Sequence, residues 1–357
     1  MANHGDWQFG IYFNGLIGQK PTLPMHYDAL AEAAEAAMSE EVWSYVAGGA
    51  GNEHTQRINV TAFERWGLMP RMLAGAAQRE LGVEIFGQQL ATPLMLAPVG
   101  VIGICEPEGH GDLTTARAAA ATGVPMIAST LMQDPLEDVA AALGETPGWF
   151  QLYPPNDREL TESLVRRAEA AGYRAIVITL DTLTLGWRPR DLTIASFPQL
   201  TGLCLANYTS DPVFRSRLAA PPEEDPQAAV GHWASIFGNQ SLSWEDLGWL
   251  RSLTTLPILL KGICAPDDAR RAVDAAGDAP VIFDSGVRGG PDVVKALAMG
   301  ARAVAIGRPY AYGLAVGGQE GIEHVIRCLL AETDLTMAVD GYPSIASLTR
   351  DALRPVR

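Results

Sequence analysis

The sequence predicts an α/β chain of the TIM-barrel type, (β/α)8 with one βα unit missing and an N-terminal helical extension in front of it. Three observations predict this. From Pro93 onward, short apolar runs alternate with Ala-rich segments of helical length, and that alternation implies βα units and a parallel sheet. Several runs end in polar residues followed by glycine, where a parallel barrel keeps its chemistry. The length, 357 residues, suits one such barrel with extensions.

Residues 1–92 are expected to form the extension, packed on the barrel. Within it 27–38 reads as a helix, and a second helical piece, 39–46, ends at Gly48-Gly49. Tyr45 precedes that glycine-rich break, where its side chain either hangs over a pocket or closes off the helix end. Residues 93–357 are expected to form the barrel. Strands are predicted over 94–98, 126–129, 149–152, 175–180, 258–261, 281–283 and 303–306, with helices over 113–122, 136–143, 159–171, 266–276, 291–299 and 320–331. The segment 182–243 breaks this rhythm with aromatics, prolines and the acidic run Pro221-Pro222-Glu223-Glu224-Asp225. A connection of that length with little regular structure predicts an active-site lid.

The stretch from Pro280 to Arg308 reads strand, glycine turn, helix, strand, glycine turn. Asp284, Ser285 and Gly286 end the first strand, and Gly286, Gly289 and Gly290 let backbone approach a ligand closely. Pro291 suits a first helical turn and Asp292 the positive end of the helix. Gly307-Arg308 ends the second strand. Either turn alone is ordinary, but two of them with Arg288 and Arg308 make a cradle for a phosphate monoester.

The other strand ends supply Ala97 and Pro98, Ser129 and Thr130, Gln151 and Tyr153, Thr179 and Asp181, and Lys261. A lysine ending an apolar strand is rarely a plain core residue. Its charge suits an anionic ring, and Thr179 and Gln151 suit the pyrimidine edge of that ring. A planar heterocycle with a phosphate tail fits the set, and FMN is the natural candidate. Arg188, in Leu-Gly-Trp-Arg-Pro-Arg-Asp, opens the 182–243 segment and is placed to clamp a substrate carboxylate, with Arg190 as its rival and a salt bridge to Asp191 as the alternative.

Composition narrows the partners. Lys plus Arg number 26 against 41 Asp plus Glu, a net charge of −15, which argues against non-specific binding to nucleic acid or an anionic membrane. Four scattered cysteines, Cys105, Cys204, Cys264 and Cys328, show no C-x-x-C spacing, so no metal site or disulfide framework is expected and a cytoplasmic, reducing setting is. No export signal and no uninterrupted apolar span is read.

In order along the chain, Ser-Tyr-Val-Ala-Gly-Gly from Ser44, Ala-Pro-Val-Gly from Ala97, Gln-Leu-Tyr from Gln151, Thr-Leu-Asp from Thr179, Leu-Lys-Gly from Leu260, Asp-Ser-Gly-Val-Arg from Asp284 and Ile-Gly-Arg-Pro from Ile306 resemble the signature of the FMN-dependent α-hydroxy-acid oxidoreductases. Within that family the chain is most similar to the lactate 2-monooxygenase branch, from Gly-Leu-Ile-Gly-Gln-Lys-Pro-Thr-Leu-Pro-Met at Gly15 to Ala-Val-Asp-Gly-Tyr at Ala338 and Asp-Ala-Leu-Arg-Pro at Asp351; Gly100, where many relatives carry alanine, agrees. The resemblance implies that Ala97, Pro98, Ser129, Gln151, Thr179 and Lys261 hold the flavin ring and its side chain. It implies that Asp284, Gly286, Arg288, Gly307 and Arg308 hold the ribityl phosphate, and that Tyr45, Tyr153 and Arg188 hold a small L-2-hydroxy acid, L-lactate above all. Molecular oxygen is the implied co-substrate, acetate and carbon dioxide are the implied products, and a homo-tetramer or octamer is the implied assembly.

One family element has no counterpart. Relatives carry, after the lysine strand, a strand ending in Ser-Asn-His-Gly-Gly-Arg, whose His takes the substrate hydroxyl proton and whose Arg is a second carboxylate clamp. Here Lys261-Gly262 leads to the helix at 266–276 and then, through Gly277-Asp278-Ala279-Pro280, straight into the phosphate strand. The absence amounts to one βα unit, roughly thirty residues. The histidines are His4, His26, His54, His110, His232 and His324, and none follows a predicted strand in the right place; His110, in Glu-Gly-His-Gly-Asp, reads as a helix-start residue. The implied alternative to an FMN oxidase is an FMN-binding relative without turnover, in a structural or regulatory role.

Overall fold

The computed structural model describes residues 3–276 and 279–356. Along the chain come helices α1 (Trp7–Leu16), α2 (Tyr27–Ala37), α3 (Glu40–Ala47) and α4 (His54–Thr61), then strand β1 (Leu94–Leu96), α5 (Gly111–Thr122), β2 (Met126–Ala128), α6 (Leu136–Leu143), β3 (Gly148–Leu152), α7 (Arg158–Ala170) and β4 (Ile176–Thr179). Five helices follow, α8 (Pro189–Thr193), α9 (Ala206–Thr209), α10 (Pro212–Ser216), α11 (Pro226–Phe237) and α12 (Asp246–Ser252). The chain continues with β5 (Ile258–Lys261), α13 (Pro266–Ala276), β6 (Ile282–Asp284), α14 (Gly290–Ala298), β7 (Ala303–Ile306) and α15 (Arg308–Asp340). All seven predicted strands are present, and Gly277 and Asp278, in the junction where the family strand is missing, lie outside the described residues.

Two compact units make up the chain, one of Met1–Ala97, Ala121–Val124 and Pro280–Arg357, the other of Pro98–Ala120 and Pro125–Ala279. The first holds three parallel strands in the order β1, β7, β6. Their neighbours are two small antiparallel pairs, Trp66–Leu68 with Leu353–Pro355 and Val83–Ile85 with Gln88–Leu90. Its long helix α15 is interrupted at Gly317 and Gly318, which have non-helical backbone angles. The arms on either side meet at two glycines, and a methyl group at Gly321 would lie 1.9 Å from the carbonyl oxygen of Gly313. The buried pair of Arg79 and Asp334 (2.7 Å) ties the chain ahead of the small hairpin to α15.

The second unit holds four parallel strands in the order β2, β3, β4, β5. Strands β2, β3 and β4 are buried along their whole length, as continuous apolar runs in a parallel sheet should be. Helix starts follow sequence rules. Ser39 caps α3 through Val42 N–H, Asp157 caps α7 through Leu160 N–H, and Asp225 caps α11 through Ala228 N–H.

Two expectations need correction. The 182–243 segment is not irregular: Pro189, Pro212 and Pro226 each open a helix, where a missing N–H costs nothing, and Tyr208, Phe214 and Trp233 build a buried aromatic core there. The apolar run at 281–283, which by itself suits a strand buried on both faces, is not so buried, and neither is the strand on the other side of the missing unit. β5 and β6 are half-buried throughout, each with one strand neighbour among the described residues, and Val281, expected within the second of them, precedes it and is 59% exposed. Helix α13 is exposed over residues 266–271. An apolar run specifies a strand, but only a neighbour on each side buries it.

Candidate functional site

In the second unit, strand register brings four predicted residues to one face. Ala128 lies opposite Phe150, so Ser129 continues opposite Gln151; Gln151 lies opposite Val177, and Thr179, two residues on and hence on the same face, lies opposite Lys261. Ser129, Gln151, Thr179 and Lys261 therefore line one side of the C-terminal ends of β2 to β5.

Their hydrogen bonds are uneven. Ser129 Oγ donates to Gln151 Oε1 at 3.0 Å, the Thr130 N–H reaches the same oxygen at 3.4 Å, and the Thr130 hydroxyl donates to the Gln151 backbone carbonyl at 2.6 Å. That hydroxyl also accepts from the Tyr153 N–H at 3.1 Å, a bracing role for Thr130 that the sequence did not single out. With its carbonyl engaged, Gln151 keeps its amide nitrogen Nε2 buried without a partner, and the buried Thr179 hydroxyl also has none. Leaving such groups unpaired costs about 1–3 kcal/mol each. Unsatisfied buried donors beside a lysine mark where a ligand's polar edge belongs. A flavin pyrimidine edge, with carbonyl oxygens to accept from Gln151 and Thr179 and a charge for Lys261 to balance, fits. The Lys261 Nζ stands 3.9 Å from Asp181 Oδ2, loosely paired. Pro98, at the head of the following loop, is half-buried.

Tyr153 is half-buried and braced by the ring of Phe237 on α11 (centroids 5.2 Å apart), which in turn packs on Trp233. Arg188 heads α8 and donates from Nε to Asp191, the ion pair weighed as the alternative to a substrate clamp.

In the first unit, Arg308 follows β7 as predicted, but its guanidinium is turned to the end of α3. Nε donates to the Val46 carbonyl at 3.0 Å, and Nη2 donates to the Gly48 carbonyl at 2.9 Å and to Gln56 Oε1 at 2.8 Å. Tyr45, half-buried, is the residue before Val46, so Arg308 and Gly307 stand next to the segment that carries it. Ala97 is buried, with its N–H bonded to Ile306 and its carbonyl accepting from the Tyr310 hydroxyl at 2.7 Å. Arg288 lies with its guanidinium carbon 4.3 Å from the Tyr27 ring centre, while its backbone N–H donates to Asp292. Asp284 accepts from the Ser285 hydroxyl at 3.2 Å.

The glycines here approach protein rather than ligand. A methyl group at Gly286 would lie 2.1 Å from the Asn59 carbonyl oxygen on α4, and one at Gly290 would lie 2.2 Å from the Thr333 nitrogen on α15. Gly290 N–H, at the start of α14, donates to the Glu332 carboxylate at 2.6 Å. Close approach of one backbone segment of the chain to another, not only an open cradle, explains this glycine pattern.

His110 immediately precedes α5, as expected, and Thr114 N–H donates to its carbonyl. Its Nδ1 lies 2.7 Å from Asp134 Oδ1, and that carboxylate raises the imidazole pKa, with Glu106 and Glu108 adding to the effect. Beside it Asp112 is buried, and burial pushes its carboxyl up to about 7 although the Gln133 N–H donates to it. Asp134 lies 24 residues from His110, too far along the chain for spacing to pair them.

Parallel βα units whose strand ends carry this buried polar edge are those of an α/β flavoprotein. The FMN-dependent dehydrogenase family model matches residues 34–279 and 273–355, two pieces that join where the unit after β5 is missing. An FMN-dependent alpha-hydroxy acid dehydrogenase of Penicillium citrinum is 38% identical over 99% of this chain and 97% of its own, in an alignment of 393 positions against the 357 residues present here. An L-lactate oxidase of Lysinibacillus sphaericus is 37% identical, covering 95% of this chain and 94% of its own. Among solved structures, a soluble mutant of (S)-mandelate dehydrogenase from Pseudomonas putida superposes with a TM-score of 0.82 at 32% identity, over 93% of this chain and 99% of that one. The chain belongs to the family of FMN-dependent α-hydroxy-acid dehydrogenases and oxidases. Its cofactor is FMN, and its fold is that family's TIM-type barrel with seven strands.

Proposed function

We propose that this protein binds FMN and oxidises a small L-2-hydroxy acid, L-lactate first, by the lactate 2-monooxygenase route, in which lactate and oxygen give acetate, carbon dioxide and water. The observation that carries the cofactor part is the pair of unpartnered buried groups on Gln151 and Thr179, in line with Ser129 and Lys261. Ala97, Pro98, Ser129, Gln151, Thr179 and Lys261 hold the ring side, and Asp284, Gly286, Arg288, Gly307 and Arg308 hold the ribityl phosphate. FMN, once bound, supplies the hydride acceptor. Tyr45, Tyr153 and Arg188 hold the hydroxy acid, with Arg188 trading Asp191 for the substrate carboxylate. The assembly is a homo-oligomer in the cytoplasm. Among the described residues no helix is long and apolar enough to cross a membrane.

A second reading rests on one observation. The chain has no Ser-Asn-His-Gly-Gly-Arg segment, so the substrate hydroxyl proton lacks the family's acceptor. A positioned general base contributes about 10²–10⁴-fold in rate. On this reading the chain binds FMN without turnover and serves a structural or regulatory role. The visible spectrum of the purified protein, before and after anaerobic L-lactate, decides. Bleaching of a bound flavin supports the oxidase reading; a bound flavin that stays oxidised supports the second; no flavin binding after incubation with FMN overturns both.

A further inference from the structure

Helix α1 is apolar on two opposite faces. Trp7 and Ile11 face inward over a cavity of about 610 Å³ that they line with Leu30 and with Leu329 and Val339 of α15. On the other side, Phe9, Tyr12, Phe13 and Leu16 recur at i, i+3, i+4 and i+7, one continuous stripe. That stripe faces solvent, with exposures of 53%, 67%, 65% and 81%. No residue of α1 is buried. Four large apolar side chains in one exposed stripe mark an interaction surface.

We infer that this stripe is the centre of an interface between two copies of the chain. Charge selects the partner. From Trp7 to Gln19 there is no charged side chain, in a protein of net charge −15. Two copies repel each other over most of their surface, and a neutral aromatic stripe is where they meet without like-charge contact. An interfacial membrane helix carries Lys and Arg beside its apolar face; α1 carries none, and the acidic chain opposes an anionic bilayer. A stripe that pairs with itself about a two-fold axis sets the midpoint, between Tyr12 and Phe13, against its own copy. A ten-residue helix is about 15 Å long and covers only part of the ~800 Å² per partner of a stable interface. Exposed Ile17 extends it at one end.

The test is the mass in solution of the full chain as purified, by light scattering, beside a Phe13→Glu, Leu16→Glu double variant checked for unchanged circular dichroism. The expected result is a wild-type mass at a multiple of 38.1 kDa and a mass at least twofold lower for the variant. A monomeric wild type, an unchanged variant mass, or binding to phosphatidylcholine vesicles that the variant abolishes would each overturn the inference. Should the double variant fail to fold, Tyr12→Cys and Phe13→Cys, each in a Cys264→Ser background, replace it. A disulfide-linked double-mass band after mild oxidation supports the pairing, and its absence at both positions refutes it.

Discussion

The Ser129 hydroxyl donates to the side-chain carbonyl of Gln151 across two adjacent parallel strands, and this single bond fixes which end of the Gln151 amide is left unpaired. Because the carbonyl is taken, the nitrogen is what the site offers. Gln151→Leu removes that donor and the acceptor that Ser129 and Thr130 use. The expected outcome is a five- to tenfold loss of FMN affinity, about 1–1.5 kcal/mol, read by flavin fluorescence titration of the apoprotein. Unaltered affinity would mean the Gln151 edge faces no ligand.

Arg308 bonds to Val46, Gly48 and Gln56, each more than 250 positions away, so it clasps α3 as well as standing at a strand end. Arg308→Ala is expected to lower stability by about 1–3 kcal/mol, seen as a lower urea midpoint with the slope unchanged. Arg308→Lys keeps the charge but not the fork, and is expected to fall between the two. An Ala variant as stable as the parent in the absence of flavin would show that the clasp does not hold the fold.

The buried Asp112 predicts a pH dependence. Its folded pKa, about 7, lies above its ordinary value of 3.8, so the folded state binds the proton more tightly than the unfolded. Stability from this group is present in full below about pH 4 and declines as pH rises to about 7. His110, also raised, by its bond to Asp134, adds a smaller decline from about pH 6.5 upward, discounted because the ring is largely exposed. Asp112→Asn is expected to flatten the melting temperature between pH 4 and 7; an identical slope in the variant would assign the effect to other groups.

Amide exchange gives a direct view of the missing unit. β3 is buried throughout, whereas β5 and β6 are half-buried with one strand neighbour each among the described residues. Hydrogen exchange at 258–261 and 282–284 is expected to be faster than at 148–152. Equal protection would indicate that something covers these edges in solution.

Much of this was legible in the sequence. The strands at 258–261 and 303–306 fall where their apolar runs predict, because a short run closed by Lys-Gly or Gly-Arg leaves little room for another register. The polar face of Ser129, Gln151, Thr179 and Lys261 was legible for the same reason: strand ends face one way in a parallel sheet. The helices of 182–243 were not, since a proline reads equally as a loop residue or as a first helical position. Nor were the partners of Arg308 and Arg188 settled. A guanidinium's choice between a ligand and a nearby carbonyl or carboxylate depends on three-dimensional approach, and Asp191 was only a possibility on paper.

The glycine contact inside α15 reaches further than its size suggests. Gly313 and Gly321 touch where the helix breaks, and the first arm begins at Arg308. Contact at that spot acts as a stop that sets the heading of the arm, and so the aim of the arginine at its tip. Residue 321 carries no chemistry and lies thirteen positions downstream, yet a single added methyl there would re-point the guanidinium that clasps α3.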